Sequence, residues 1–236
     1  MAIRLVVFDV SGTTVSDGGG AVRQALCEAL ESAGLSLREG SLERVMGLAK
    51  PVAIRTLLEG HGRDELLPQV EAIHAAFVSR IIGYYRDDPS VRAVEGAVQT
   101  FARLRDAGIL IALNTGFSRP VLDAVLVRLG WDGPASYIDG TITSDEVPRG
   151  RPYPDMINAL RQRLGGIPAA EVAKVGDTAV DLQEGTMSGC GFVVGVLSGG
   201  HDRAMLGEQP HDALLNSVAE LPALLEQHRL WPHATT

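Results

Sequence analysis

The loop that follows the first apolar run of the chain carries groups able to attack an electrophile or to bind a metal. The run at residues 3–8 ends at Asp9, and the loop at 10–14 contains Ser11, Gly12 and Thr13. A carboxylate at the end of a buried strand, followed by a tight Gly-Thr turn, can serve as a nucleophile or as a Mg²⁺ ligand. We therefore take Asp9 as the first candidate catalytic residue.

Polar groups also accompany other predicted strands and helices. They are Asn114-Thr115-Gly116 after a strand at 109–113, Arg149-Gly150-Arg151-Pro152 before a helix, and Gly176-Asp177-Thr178, followed by Asp181, after a strand at 172–175. In open α/β sheets, chemistry collects at the carboxyl ends of the strands. We therefore expect three carboxylates, the Thr115 hydroxyl and Arg151 to share one edge.

This set of groups matches the needs of phosphoryl transfer, namely a nucleophile, Mg²⁺ and donors to the equatorial oxygens. Mg²⁺ prefers few carboxylates and several waters, so Asp9, Asp177 and a backbone carbonyl, which we assign to Ser11, would suffice. Asp181 lies one helical turn beyond Asp177 and is better placed for a metal-bound water. In this scheme Asp9 attacks phosphorus, while Thr115 and Arg151 stabilise the phosphoryl oxygens.

The elements that must position these residues alternate along the chain. Short apolar runs at 5–8, 109–113, 172–175 and 192–196 predict strands buried on both faces of a parallel sheet. Helical patterns at 97–107, 120–129, 154–164 and 181–188 follow or separate them, with Ser118 and Gly130 as the predicted caps of the second helix. The sequence therefore predicts a doubly wound parallel α/β fold.

The strand signal disappears between residues 21 and 85. Helical patterns at 21–33, 41–46, 50–58 and 66–85 predict a helical insertion, and the segments 18–20 and 86–90 are its expected hinges. We predict a core domain of residues 1–16 plus 91–236 and a helical cap domain of residues 17–90. A cap beside a nucleophile is a recurrent means of excluding water.

Composition excludes several classes of protein. With 45% hydrophobic and 21% charged residues, the chain has the balance of a soluble globular protein. The formal net charge of −8 argues against a nucleic-acid partner or an anionic membrane surface. Its two cysteines, Cys27 and Cys190, form no metal-binding pattern. We expect a cytoplasmic protein that acts on a small molecule.

The motifs together resemble a known family. Four of them occur in order between Asp9 and Asp181, as in the haloacid dehalogenase superfamily of Mg²⁺-dependent phosphohydrolases. The segments 9–15, 46–50, 115–119, 150–154 and 174–178 are similar to those of the phosphonatase-like subgroup, named after phosphonoacetaldehyde hydrolase. The resemblance implies an aspartyl-phosphate on Asp9 and a cap lysine, Lys50, as a catalytic and substrate-binding residue. It also implies a dimer formed through the cap, although a monomer is equally compatible with the sequence.

The resemblance also implies a substrate pocket around the phosphoryl group. The residues expected to contact substrate are Ser11, Gly12, Thr13, Gly116 and Lys50. Ser11 stands where phosphatases of the superfamily carry a second aspartate, which protonates an alkoxide leaving group. A carbon leaving group needs an electron sink instead, and an iminium on Lys50 would provide one. Ser11 by itself therefore favours cleavage of a C–P bond.

Other positions depart from the phosphonatase pattern. Ala53 replaces a histidine and Phe117 replaces a tyrosine, and glycines at 18–20 replace a cysteine. Three interpretations of Lys50 stay open: a Schiff-base lysine, an electrostatic contact to an anionic substrate, or a solvated helix start. Arg119 and Arg149 are weaker substrate-binding candidates.

Three functions follow from these alternatives. The leading prediction is a phosphonatase-like hydrolase of a small organophosphorus compound such as phosphonoacetaldehyde. The second is a phosphatase of small phosphate monoesters. The third is a non-catalytic protein that binds a phosphorylated ligand.

Overall fold

The strands of the protein form one parallel sheet within the part of the chain that the computed structural model describes, residues 2–232. The strands are β1 Leu5–Phe8, β2 Leu110–Thr115, β3 Gly140–Thr143, β4 Val172–Gly176, β5 Phe192–Val196 and β6 Ala213–Leu215. Their order is β3-β2-β1-β4-β5-β6, and every neighbouring pair is parallel. This arrangement confirms the doubly wound α/β prediction.

Helices cover both faces of the sheet. The helices of the described residues are α1 Ala21–Ser32, α2 Lys50–Gly60, α3 Val70–Asp87, α4 Ala97–Asp106, α5 Arg119–Leu129, α6 Asp155–Arg163, α7 Ala179–Met187, α8 Arg203–Gly207 and α9 Leu221–Gln227. Side chains of β1 alternate between two apolar clusters: Phe8 packs with Phe101 of α4, while Val7 lies in a cluster with Ile157 of α6. Burial on both faces explains why the strand is apolar throughout.

Helices α1, α2 and α3 occupy the segment between β1 and α4. Helix α3 packs against α1 and α2 and against α5 of the sheet-covering layer. Its Phe77 and Tyr85 rings lie 6.3 and 5.9 Å from the ring of Phe117, in the loop after β2. The inserted helices and the sheet therefore share one apolar cluster.

Several predicted elements differ from those observed. The helix expected at 41–46 is a short 3₁₀ turn, Glu43–Val45, and the one expected at 66–85 is a 3₁₀ segment, Asp64–Gln69, followed by α3. Pro68, which lacks a backbone N–H, lies in that 3₁₀ segment. Ser118 precedes α5 as predicted, but its side chain makes no capping bond.

Two strands were not predicted. Strands β3 and β6 have only four and three residues and form the two edges of the sheet. The predicted core range also extends past the described residues, to residue 1 and residues 233–236. No helix among residues 2–232 is long and apolar enough to cross a bilayer.

Candidate active site

The register of the sheet brings the predicted carboxylates to one edge. Phe8 is paired with Leu113 on one side and Val175 on the other, so β1, β2 and β4 end within two residues of one another. Asp9 directly follows β1, and its N–H donates to the carbonyl of Val175 at 2.9 Å. Asp177 directly follows β4, so both acids reach the same edge, as predicted.

The loop after β1 is shaped by contacts with Asp177. Gly12 has a φ of +87°, and a Cβ there would lie 2.5 Å from Asp177 Oδ2. Thr13 Oγ1 donates to Asp177 Oδ1 at 2.8 Å, and Gly200 N donates to Asp177 Oδ2 at 2.6 Å. The Thr13 hydroxyl is therefore bonded to Asp177, and its contact with substrate stays a prediction.

Arg151 lies at the centre of the site. It is 4% exposed, and its Nη2 lies 2.7 Å from Asp9 Oδ1. Its Nη1 lies 3.0 Å from Asp181 Oδ1, and its Nε donates to Glu184 Oε2 at 3.1 Å. Burial alone would lower the pKa of Arg151, but the three carboxylates raise it above its ordinary value. Arg151 is thus a permanent cation beside the candidate nucleophile.

A buried polar network supports Arg151, and the sequence reasoning missed it. Lys174 is fully buried in the middle of β4, where its Nζ donates to Asn114 Oδ1 at 2.6 Å. The same amine lies 2.9 Å from Asp181 Oδ1 and 3.4 Å from Glu184 Oε2. The available signal was a lysine inside a predicted buried strand, because a buried charge needs a buried partner.

Asp9, Asp177 and Asp181 can each direct one oxygen to a common point, with these atoms within 4.8 Å of one another. Burial raises the pKa of Asp177 well above its ordinary value, and the charges of Asp9 and Asp181 add to this. Burial also raises the pKa of Asp9, although Arg151 opposes the rise. Crowded, buried carboxylate oxygens are the ligand set of a hard divalent cation, so these residues fit a metal.

Asp181 differs from the other two acids. Its burial would raise its pKa, but Arg151 and Lys174 lower it below its ordinary value. Its Oδ1 is within ion-pair distance of both cations, yet neither contact has hydrogen-bond geometry. Its other oxygen accepts from the backbone N–H of Thr178 at 3.2 Å. Asp181 is therefore held mainly by its attraction to Arg151 and Lys174 and by the Thr178 N–H at the start of α7.

Lys50 enters the site from the first turn of α2. The side chain is buried, and its Nζ donates to the carbonyl of Leu48 at 3.3 Å. The amine also lies 5.4 and 5.8 Å from the ring centroids of Phe117 and Phe77. Burial lowers the pKa of Lys50 to about 8, while the carboxylates of Asp9 and Asp17 limit the fall. Its burial contradicts the interpretation of Lys50 as a solvated helix start.

Most of these groups line one small cavity of about 40 Å³. The predicted site residues that line it are Asp9, Ser11, Gly12, Lys50, Thr115, Gly116, Arg151 and Asp177. Thr115 is buried, and its Oγ1 accepts from Phe117 N at 3.2 Å. Gly116 is close to the loop at residues 47–49 before α2, because a Cβ there would lie 2.6 Å from the carbonyl oxygen of Leu48.

Two further polar side chains, Tyr85 and Asp17, are connected to the cavity through Ser11. Tyr85 Oη donates to Ser11 Oγ at 3.1 Å, and Ser11 Oγ lies 3.5 Å from Asp17 Oδ1 as a long hydrogen bond. Asp17 lines the cavity and also accepts from Val22 N at 3.1 Å. Sequence reasoning missed both residues, because neither belongs to a motif.

Arg119 and Arg149 do not line this cavity. Arg119 pairs with Glu146 at the start of α5, and Arg149 Nη2 lies 2.9 Å from Asp155 Oδ1. Arg149 is also stacked at 4.5 Å from the ring centroid of Tyr153. These ion pairs give both arginines structural partners outside the cluster of Asp9, Asp177 and Asp181.

The chain is similar to hydrolases of known family. Residues 3–189 match the haloacid dehalogenase-like hydrolase family. A phosphonoacetaldehyde hydrolase of Bacillus cereus (strain B4264) is 31% identical over 217 residues, covering 89% of this chain and 81% of the relative.

Solved structures show the same fold. A hydrolase from Pseudomonas syringae aligns with a TM-score of 0.84 at 22% identity, covering 95% of this chain and 98% of that one. A phosphonoacetaldehyde hydrolase-like protein from Oleispira antarctica aligns with a TM-score of 0.83 at 20% identity, covering 100% and 96%. The chain belongs to the haloacid dehalogenase-like hydrolases, with phosphonoacetaldehyde hydrolases among its relatives.

Proposed function

We propose that the protein is a Mg²⁺-dependent, phosphonatase-like hydrolase that cleaves the C–P bond of a small organophosphorus aldehyde such as phosphonoacetaldehyde. The observation that carries this proposal is the buried amine of Lys50 in the same small cavity as Asp9. Because burial lowers the pKa of Lys50 to about 8, a sizeable fraction of the amine is neutral near pH 8. A neutral amine can condense with an aldehyde.

The covalent steps follow from these two residues. Lys50 adds to the aldehyde and water leaves, which gives an iminium. Asp9 attacks phosphorus, the C–P bonding electrons move into the iminium, and an enamine and an aspartyl-phosphate result. Protonation of the enamine carbon and hydrolysis of the resulting iminium release the dephosphonylated aldehyde product and restore Lys50. Water then hydrolyses the aspartyl-phosphate to phosphate and Asp9.

The remaining residues have supporting roles in this proposal. Asp9, Asp177 and the Ser11 carbonyl would hold Mg²⁺, with Asp181 beside it, and the cation would neutralise charge on the phosphoryl group. Arg151 holds Asp9, and the Thr115 hydroxyl and Gly116 N–H face the phosphoryl oxygens. The segment 17–90 acts as the cap that brings Lys50 to the core and excludes water.

A phosphate monoesterase is the second candidate, and Asp17 favours it. Its carboxylate lines the cavity beside Ser11, where it can supply the proton that an alkoxide leaving group needs. Phe117 in place of a tyrosine also offers no hydroxyl partner to Lys50, whose ammonium form can bind an anionic substrate with the donors not used by the Leu48 carbonyl.

A parallel screen for phosphate release separates the two candidates. We expect turnover of phosphonoacetaldehyde, and borohydride should trap a covalent adduct on Lys50 only while that substrate is present. Lys50→Arg, which keeps the charge but forms no iminium, should abolish both signals. Hydrolysis of sugar phosphates with no reaction of phosphonoacetaldehyde would overturn the C–P proposal in favour of the monoesterase. Binding of phosphorylated compounds without release of phosphate from any of them would support a non-catalytic protein.

A further inference from the structure

The orientation of Arg151 is determined by protein groups on several sides. Nη2 donates to the carbonyl of Asn114 at 2.7 Å in addition to its contact with Asp9. Nη1 faces Asp181 at 3.0 Å and Nε faces Glu184 at 3.1 Å. A planar guanidinium with hydrogen bonds to Asn114 and Glu184 and ion-pair contacts to Asp9 and Asp181 cannot rotate without losing several of them. The position of Nη2 beside Asp9 Oδ1 therefore depends on the contacts of the guanidinium with Asn114, Asp181 and Glu184.

Glu184 is a partner of Arg151 that lies outside the cavity. It lies on α7, is fully buried, and is absent from the lining of the 40 Å³ cavity. Its Oε2 accepts from Arg151 Nε at 3.1 Å and from Asn114 Nδ2 at 2.8 Å. Lys174 Nζ lies 3.4 Å from the same oxygen. Glu184 thus joins β2, β4 and the Arg151 loop through one carboxylate.

Stability alone is a weak reason for this arrangement. Desolvation of buried ions offsets much of their mutual attraction, so apolar residues of similar size often serve a fold equally well. Asp9, Asp181 and Glu184 also outnumber the cations Arg151 and Lys174, which leaves the cluster with an excess of carboxylates. A role in orienting Arg151 explains the carboxylate of Glu184 better, because this carboxylate is the acceptor of Arg151 Nε.

We propose that Glu184 is a positioning residue that acts through Arg151, with Lys174 and Asn114 holding Glu184 in place. It fixes the guanidinium so that Nη2 keeps Asp9 Oδ1 aligned for attack on phosphorus. The inference rests on the proposed role of Asp9 as nucleophile. Glu184 itself touches neither substrate nor metal.

The test uses Glu184→Gln, which keeps the size of the side chain and one acceptor but removes the charge. The substrate is whichever of phosphonoacetaldehyde and glucose 6-phosphate the wild-type protein hydrolyses. Because small displacements of catalytic groups can cost up to about 100-fold in rate, we expect kcat to fall by 10- to 100-fold with KM unchanged. Glu226→Gln is the matched control, since Glu226 accepts from Arg103 Nη2 at 2.8 Å on the surface. It should leave both constants unchanged.

A second readout does not depend on turnover. The ¹⁵N resonance of Arg151 Nε, identified by its loss in Arg151→Lys, should shift in Glu184→Gln and stay in place in Glu226→Gln. An unshifted resonance, an unchanged kcat per folded molecule, or a rise in KM alone would each overturn the inference.

The double variant Lys174→Met with Glu184→Gln removes one charge of each sign and replaces the single variant if that one does not fold. It should show the same fall in kcat and the same shift of the Nε resonance. Absence of wild-type turnover would count against the proposed function, whereas the resonance would still decide whether Glu184 orients Arg151.

Discussion

The hydroxyl of Tyr85 on α3 donates a hydrogen bond of 3.1 Å to Ser11 Oγ in the loop after β1. Ser11 Oγ is in turn 3.5 Å from Asp17 Oδ1. The position at which phosphatases of the family carry a second aspartate is thus connected to the inserted helices and to another carboxylate. A side chain that replaces Ser11 must therefore be compatible with both the Tyr85 hydroxyl and the Asp17 carboxylate.

Restoring the acid at position 11 should increase hydrolysis of alkyl phosphates. Ser11→Asp alone would place a second carboxylate next to Asp17, so Asp17→Asn should accompany it and still accept from Val22 N. We expect the double variant to hydrolyse glucose 6-phosphate up to roughly 10²-fold faster than Asp17→Asn alone. Hydrolysis of p-nitrophenyl phosphate, whose leaving group needs no proton, should not change. Equal rates for the double and single variants would show that protonation of the leaving group is not limiting.

The pH dependence of turnover distinguishes the two remaining interpretations of Lys50. Burial lowers the pKa of Lys50 to about 8, so its amine is mostly charged below pH 8 and mostly neutral above it. A Schiff-base lysine predicts that kcat/KM for phosphonoacetaldehyde rises as the pH passes through about 8. A lysine that binds an anion predicts a fall over the same range. Lys50→Arg, charged throughout, should remove either transition.

Mg²⁺ should stabilise the folded protein through Asp177. A ligand that binds only the native state raises the free energy of unfolding by about 2.7 kcal/mol at 100 times its Kd. We expect thermal unfolding to move to higher temperature with added Mg²⁺, and Asp177→Asn to lose most of that response. Asp145→Asn is the control, because Asp145 accepts from Thr143 Oγ1 at 2.6 Å outside the cavity. Equal responses in the two variants would exclude Asp177 as a ligand.

A methyl group at Gly116 should displace the loop at residues 47–49 before α2. The added Cβ would lie 2.6 Å from the Leu48 carbonyl and 2.7 Å from the Gly47 carbonyl, so this loop would have to move away. Lys50 follows the loop directly, and we expect Gly116→Ala to reduce kcat/KM by 10-fold or more, since misplaced groups can cost up to about 100-fold. Gly133→Ala, where the added group meets no atom within 4 Å, is the control. Unchanged kinetics in Gly116→Ala would show that the loop tolerates displacement.

The central part of the fold was predictable because its signals are local. Strands β1 and β5 were predicted with their observed bounds, since continuous apolar runs of four or five residues are typical of buried parallel strands. The edge strands β3 and β6 escaped prediction because short strands on a sheet edge need little apolar sequence. Their pairing with β2 and β5 defines them.

The site residues divide in the same way. Asp9, Thr115, Arg151 and Asp177 were predictable because each belongs to a motif next to a strand or helix end. Glu184 and Tyr85 were not, since their contacts join residues far apart in the sequence, as Ser11 and Tyr85 are at a separation of 74 positions. Asp17 is only six positions from Ser11, but it belongs to no motif. Nothing in the local sequence indicates which distant side chain will complete a hydrogen bond.

The sequence by itself determined the alternation of the central strands β1, β2, β4 and β5 with helices, the helical segment between β1 and α4, and the carboxylates at the sheet edge. Local periodicity and the chemistry of strand ends are sufficient for those conclusions. Only the tertiary structure decided that Lys50 is buried beside Phe117, that Ser11 is bonded to Tyr85, and that Arg151 is directed at Asp9. Burial, pKa and side-chain direction depend on which distant segments pack together, and that packing is a property of the whole folded chain.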